Sequence, residues 1–226
     1  MMKEEKVSVS SKFWLCSADC LCGTLSGLIT GGGMTYFYTK YLGLDEGLAS
    51  IVWMIFAVWN ALNDPLFGYI SDRTKSKLGR RIPYIRYGAL LYGVIFILSW
   101  FLWPLGGSQT ALFVQMLVSL FFFDTFYTAI ATSLYVLPYT MAESNQARSG
   151  IFVWKIFFTL LSLAAPLVLF PLVRPDVGES ASRFQTIMIM LGVVTTLVIF
   201  FSTFFYKEKY TSDAEEAPGL WESICQ

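Results

Sequence analysis

Apolar residues in this chain gather into six long runs, 13–38, 48–70, 85–103, 111–137, 151–173 and 184–206, separated by shorter polar stretches. Each run approaches the ~20 residues a helix needs to cross a hydrocarbon core. Alternating ~10-residue strands, the mark of a membrane barrel, are absent. The pattern therefore predicts an all-α integral membrane fold, a six-helix transmembrane bundle over residues 1–210. The connections at 43–47, 104–108 and 174–182 are short, which favours antiparallel neighbours and a compact bundle. In the first run Gly23, Gly27 and Gly31 recur every fourth residue and form a ridge suited to close helix contact. Gly31, Gly32 and Gly33 also offer a place to flex. From Tyr210 the composition turns polar. Residues 211–226 read as a cytoplasmic linker, followed at Leu220–Ile224 by the start of an amphipathic helix, where the sequence stops. That pattern is expected of a chain that continues elsewhere.

Composition supports the membrane assignment. Hydrophobic residues make up 55% of the chain and charged ones 14%, against about 25% charged in soluble domains. Net charge is zero, but the positive charges are unevenly placed. If the N-terminus is cytoplasmic, all of the sixteen Lys and Arg residues except Lys40, Arg174 and Arg183 fall on the cytoplasmic side. The positive-inside rule then predicts a multi-pass protein of the cell membrane with both termini in the cytoplasm. The first apolar run is too long for a signal peptide and carries no small-residue cleavage site. Cys16, Cys20, Cys22 and Cys225 read as free thiols in a reducing compartment. The chain has no histidine, so helical zinc motifs and Cys–His pairs are excluded, and an enzyme is not expected. The basic loops are too short and too close to the membrane for nucleic acid.

Charged residues inside the apolar runs carry the chemistry. Asp64 is the one charge in the run 48–70 and lies in Asn63-Asp64-Pro65. A carboxylate there costs ~2.5 kcal/mol or more on insertion scales, so it marks function. Pro65 has no N–H and frees the carbonyl of Ala61. Asn60 is one turn earlier on the same face. Asn60, Asn63, Asp64 and that carbonyl form an oxygen-rich cluster suited to a small hard cation, Na+ or H+ being the coupling ion. No other cofactor is expected. Asp19 and Asp124 are the other intramembrane acids. Lys155 lies near the start of the fifth run. For Asp19 a structural pair with Lys12 is the plain reading. For Asp124 it is a pair with Lys155, or with the hydroxyl of Thr125 or Thr128.

The loop from Gly68 to Arg81 is the second signal. Gly68 is expected to allow close helix approach, Asp72 to pair with an arginine or meet a helix N-terminus, and Gly79 to permit a turn before Arg80 and Arg81. Gly68, Asp72, Arg73, Gly79, Arg80 and Arg81 read as a cytoplasmic gating loop. The plain alternative is a basic loop that fixes topology and touches anionic lipid.

Gly-x3-Asp-Arg followed by Gly-Arg-Arg between helices 2 and 3 resembles the loop signature of the major facilitator superfamily. With Asn63-Asp64-Pro65 upstream, the match is to its glycoside–pentoside–hexuronide:cation symporters, the melibiose-permease-like branch. Tyr36-Phe37-Tyr38-Thr39 with Leu42-Gly43-Leu44, and Leu137-Pro138-Tyr139 with Arg148 and Lys155, fit the same family. The resemblance covers the whole chain but only the N-terminal half of a twelve-helix family. It implies that Asp64 matches a cation-site aspartate and that Asn60 stands where a second one is found. Thr24 aligns with a sugar-binding aspartate, and Asp19 lies five positions earlier. Ile130 falls near a helix 4 aspartate, with Asp124 about two turns away. Lys155 stands about where a sugar-binding arginine is expected.

The expectation is the N-terminal half of a cation-coupled symporter of a sugar or related small solute. Tyr36, Asp124, Tyr127 and Lys155 are the expected substrate contacts. The expected partners are a small-molecule substrate such as a sugar or glycoside, the lipid bilayer, and either a missing C-terminal half or a second copy of the chain. The rivals are a non-transporting membrane scaffold or regulatory protein, and a homodimeric half-transporter of a lipid-like or anionic substrate.

Overall fold

The structure, a computed structural model, describes residues 6–74, 76–104, 107–176, 178 and 180–208. The region 211–226, with its linker and the expected helix start, lies outside the described residues. So does Cys225. The described residues are helical, with turns between. They form α1 (Val9–Thr30), α2 (Gly33–Tyr36), a π-helical turn (Phe37–Tyr41), α3 (Glu46–Arg73), α4 (Ile82–Leu98), α5 (Gln109–Met141), α6 (Asn145–Val173) and α7 (Ser182–Ser202). The helices begin where short polar side chains accept an orphan first-turn N–H. Ser8, Asp45, Ser108 and Ser144 do so for α1, α3, α5 and α6.

Five helical spans, Val9–Tyr41, Glu46–Arg73, Gln109–Met141, Asn145–Val173 and Ser182–Ser202, are long and apolar enough to cross a membrane. The chain is thus a multi-pass membrane protein. The third apolar run departs from its expected bounds of 85–103. Its helix begins earlier, at Ile82, and closes at Leu98 after 17 residues. Beyond it, Trp100 turns back into the core and is fully buried, with Phe37, Phe96 and Phe184 edge-on to its ring.

The helices pack in the order α6, α1, α7, α4, α5, α3, with a cross-contact between α1 and α5. α3 and α6 are the outer members. Val153, Leu167 and Leu172 of α6 are 68%, 72% and 69% exposed. The expected glycine ridge exists. Gly23 lies against Ser162 of α6, and a Cβ on Gly27 would come within 2.6 Å of the Pro166 ring. Gly31 has no such neighbour on α6; there the helix breaks, and Gly32 takes φ 95°. That value lies in the left-handed region, which only glycine enters at little cost. Gly68 differs from expectation, because a Cβ there would meet open space. No close helix approach requires a glycine at 68.

One buried amide is bonded at both of its polar atoms. Gln115 is fully buried and donates to Tyr38 Oη at 2.9 Å and to the Phe101 carbonyl at 2.7 Å, while its Oε1 accepts from Trp103 N at 3.0 Å. It pins the short turn after α4 to the middle of the bundle. Cys16, Cys20 and Cys22 are buried free thiols.

Candidate functional site

Asp19 lies ten residues into α1, Lys155 ten into α6, and Asp64 nine before the end of α3. At 1.5 Å per residue each sits ~15 Å from its helix end, near half the ~30 Å depth of a hydrocarbon core. They line one cavity of about 680 Å³ with Tyr127, Thr128, Thr132 and Tyr135 of α5 and Phe152, Ile156 and Thr159 of α6. Lys155 Nζ is 3.4 Å from Asp19 Oδ2, with the two side chains 12% and 23% exposed. The ammonium also reaches the Leu134 carbonyl at 3.5 Å. Pro138 explains that contact: it has no N–H to offer the carbonyl four residues earlier. A proline in α5 thus supplies an anchor for a cation on α6. The ring of Tyr135 lies 5.4 Å from the same ammonium.

Lys155, and not Lys12, is therefore the partner of Asp19. Lys12 instead directs its amine toward Gly150 at the start of α6. With Asp19 and Lys155 paired, the cavity is left with one further acid, Asp64. Its Oδ1 accepts from Thr128 Oγ1 at 3.1 Å. Among the described residues no ammonium or guanidinium pairs with Asp64 or Asp124.

Asn60 and Asn63 adjoin Asp64 on α3. Both amides turn to Asp124 of α5: Asn60 Nδ2 donates to Oδ1 at 3.0 Å and Asn63 Nδ2 to Oδ2 at 2.9 Å. Asp124 is 4% exposed. Its partners are these amides, while Lys155 pairs elsewhere and Thr125 donates to the Phe121 carbonyl. A buried carboxylate and two amides thus form one seat between α3 and α5, and Asp64 with Thr128 forms a second, one turn along. Asp124 and Asn60 border a separate cavity of about 390 Å³, with Ser26, Thr30 and Trp53. Tyr127 lines both cavities, and also a third of about 350 Å³ along Gly23, Ser26 and Gly27. It is the common wall between the two seats.

Two expected substrate contacts lie elsewhere. Thr24 is buried and donates to its own helix at the Cys20 carbonyl, 2.8 Å away. A threonine hydroxyl in a helix has that acceptor always at hand. Tyr36 donates to the Pro175 carbonyl at 3.1 Å, with Arg174 over its ring, so it ties the break in the first span to the end of α6. Thr132 and Thr159 line the main cavity without having been singled out in the sequence. A threonine in an apolar run gives no signal of which face it occupies.

The loop after α3 is ordered by named contacts. Arg81 Nη2 meets Asp72 Oδ1 at 2.6 Å. Arg73 lies over the Tyr69 ring at 4.1 Å. Gly79 adopts φ 105°. The carboxylate of Glu208, beyond α7, accepts from the backbone N–H groups of Arg80 at 2.9 Å, Arg81 at 2.8 Å and Ile82 at 3.1 Å. Lys75 lies outside the described residues.

Comparison with known proteins follows the same lines. The profile of the family described as MFS/sugar transport protein matches residues 23–224. The chain is 24% identical over 193 residues to the putative glycoside/cation symporter YagG of Escherichia coli, covering 84% of this chain and 42% of that protein. It is 24% identical over 233 residues to the inner membrane symporter YicJ of the same organism, covering 98% and 49%. It is 28% identical over 170 residues to the sodium-dependent lysophosphatidylcholine symporter 1 of Mus musculus, covering 70% and 30%. The chain spans less than half the length of each of these relatives.

Proposed function

We propose, from the premise that this chain belongs to the MFS/sugar transport protein family, that it forms one six-helix half of a cation-coupled symporter for a sugar or related small solute. Both of its ends lie in the cytoplasm, and the second half faces the cavity. The observation that carries this reading is the mid-depth cavity holding the Lys155–Asp19 pair and the surplus carboxylate Asp64. Secondary transporters bind substrate and coupling ion near the membrane midplane, between two repeats that rock about the site.

In the proposed mechanism Na+ or H+ neutralises Asp64. Thr128 Oγ, whose hydrogen now points at Asp64, turns a lone pair to the ion or holds the protonated carboxyl. Closing the cavity over an uncompensated carboxylate is costly, so closure waits for the ion. Lys155 and Asp19 present a donor and an acceptor to substrate hydroxyls, and Tyr127 and Tyr135 supply aromatic faces. Asp124, bonded by Asn60 and Asn63, adds a second carboxyl between α3 and α5.

The test is cation-driven uptake in cells producing this chain with its second half. Asp64→Asn should abolish the ion dependence, with binding of substrate weakened but measurable. Full ion-driven uptake by Asp64→Asn would overturn Asp64 as the coupling site; absence of uptake by the unchanged protein, with Asp64→Leu tolerated, would favour a non-transporting scaffold.

A second reading concerns the substrate. Phe152, Ile156 and Leu160 give the cavity an apolar wall on the α6 side, suited to a lipid-like amphiphile. A relative bears the name of a lysophosphatidylcholine symporter. Competition of uptake by a glycoside or by a lysophospholipid separates the two.

A further inference from the structure

α4 starts without a cap of its own. Arg81 holds the N-cap position in αR geometry, and its side chain makes no capping bond. Pro83 in the first turn offers no N–H, which removes one orphan donor. The remaining donors at Arg80, Arg81 and Ile82 converge on one carboxylate, that of Glu208, from a residue 126 positions further along the chain. Oε1 takes two of the three bonds and Oε2 the third. A carboxylate at a helix N-terminus gains from both the unpaired N–H groups and the helix dipole. The fit leaves no room to spare. A Cβ on Gly79 would lie within 2.6 Å of the Glu208 carboxyl carbon, so glycine at 79 serves the approach of Glu208 as well as the turn.

Nearby contacts extend the same tie. Arg86 of α4 donates to Thr203 Oγ1 at 2.9 Å and lies over the Phe204 ring at 4.2 Å. Arg81 reaches back to Asp72 at the end of α3. Ser11 donates to the Phe205 carbonyl at 2.6 Å. The loop following α3 is thereby fastened to the chain that follows α7, and through it to α1.

We infer that Glu208 is the positioning residue of the proposed gating loop: its carboxylate latches the start of α4, so that the loop moves with the end of α7 and not as a hinge of its own. The gating consequence rests on the transporter reading; the latch itself does not. Glu208 touches no substrate and acts through Arg80, Arg81 and Ile82.

Trypsin digestion of the detergent-solubilised chain tests it, because the loop carries its own reference bond. Lys77–Leu78 lies outside the latch, whereas Arg81–Ile82 lies within it. The ratio of cleavage at Arg81–Ile82 to that at Lys77–Leu78, read by mass spectrometry, is expected to rise at least about tenfold in Glu208→Ala, as loss of a multiply bonded carboxylate implies. Glu208→Gln keeps one acceptor oxygen and should give a smaller rise. Gly79→Ala should act in the same direction with Glu208 intact, and it carries the test with Glu208→Gln if Glu208→Ala fails to fold. A ratio unchanged within about twofold in these variants, or both bonds rising together through general unfolding, would overturn the latch. The assay requires no transport, so its failure leaves the symporter reading standing, and failure of the Asp64 test leaves the latch standing.

Discussion

Lys155 illustrates how one side chain is placed by groups the local sequence does not bring near it. Its ammonium is held by Asp19 of α1 and by the Leu134 carbonyl of α5. The pair with Asp19 is mostly shielded from solvent, so removing one member leaves the other half-buried and unmatched. Lys155→Met should therefore lower thermal stability more than the double variant Asp19→Asn/Lys155→Met. A double-mutant cycle on melting in detergent is expected to show coupling of about 1–2 kcal/mol. Additivity within about 0.5 kcal/mol would show that the two groups do not support each other. The sequence made Lys155, Asp19, Asp64 and Asp124 legible, since a charge inside an apolar run needs a reason. It did not reveal who pairs with whom. Asn60 and Asn63 adjoin Asp64 in sequence, yet their amides serve Asp124 on another helix. Glu208, between two lysines at the end of a run, gave no sign of its partners because they are backbone groups more than a hundred residues away.

At the scale of elements, glycines of the same kind do opposite work. Gly27 sits where α1 meets Pro166 of α6, and a larger side chain must force the helices apart. Gly27→Leu is expected to destabilise by about 1–3 kcal/mol. Gly68 has open space at its Cβ position inside α3, so Gly68→Ala should stabilise by about 0.5–1 kcal/mol through helix propensity alone. Melting of the two variants in detergent checks both signs. A periodic glycine ridge is readable in advance, because spacing of four repeats one helix face. A lone glycine such as Gly68 is not, since its neighbours belong to other elements. Helix interiors were legible from the apolar runs, but their ends were not. α5 and α6 extend beyond the apolar runs to polar starts at Ser108 and Ser144, because capping and not hydropathy decides where a helix begins.

For the whole molecule, the packing order leaves the charged cavity on the side bounded by α1, α3, α5 and α6. The basic loops lie at the end where α3 stops and α4 starts. The proposed orientation makes a direct prediction. A membrane-impermeant maleimide applied to intact cells should label Ser108→Cys, between α4 and α5, and should leave Ser76→Cys unlabelled until the membrane is opened. The native thiols Cys16, Cys20 and Cys22 are buried and give little background. The reverse labelling pattern would invert the protein. The helical, multi-pass organisation was legible from hydropathy alone. The order of helices around the bundle was not, since it depends on contacts between residues far apart in sequence.

The break at Gly32 has a bearing on the membrane itself. As one straight rod, the span Val9–Tyr41 has 33 residues and would be ~50 Å long, well beyond a hydrocarbon thickness of ~30 Å. Divided at Gly32, its first part has 22 residues, or ~33 Å, and matches the bilayer without steep tilt. The remainder is free to lie at another angle, and the Tyr36 contact to Pro175 makes the end of α6 share that angle. Hydrophobic mismatch thus has a point of purchase on this fold: a thicker or thinner bilayer is expected to act first at Gly32, next to the contact between Tyr36 and Pro175.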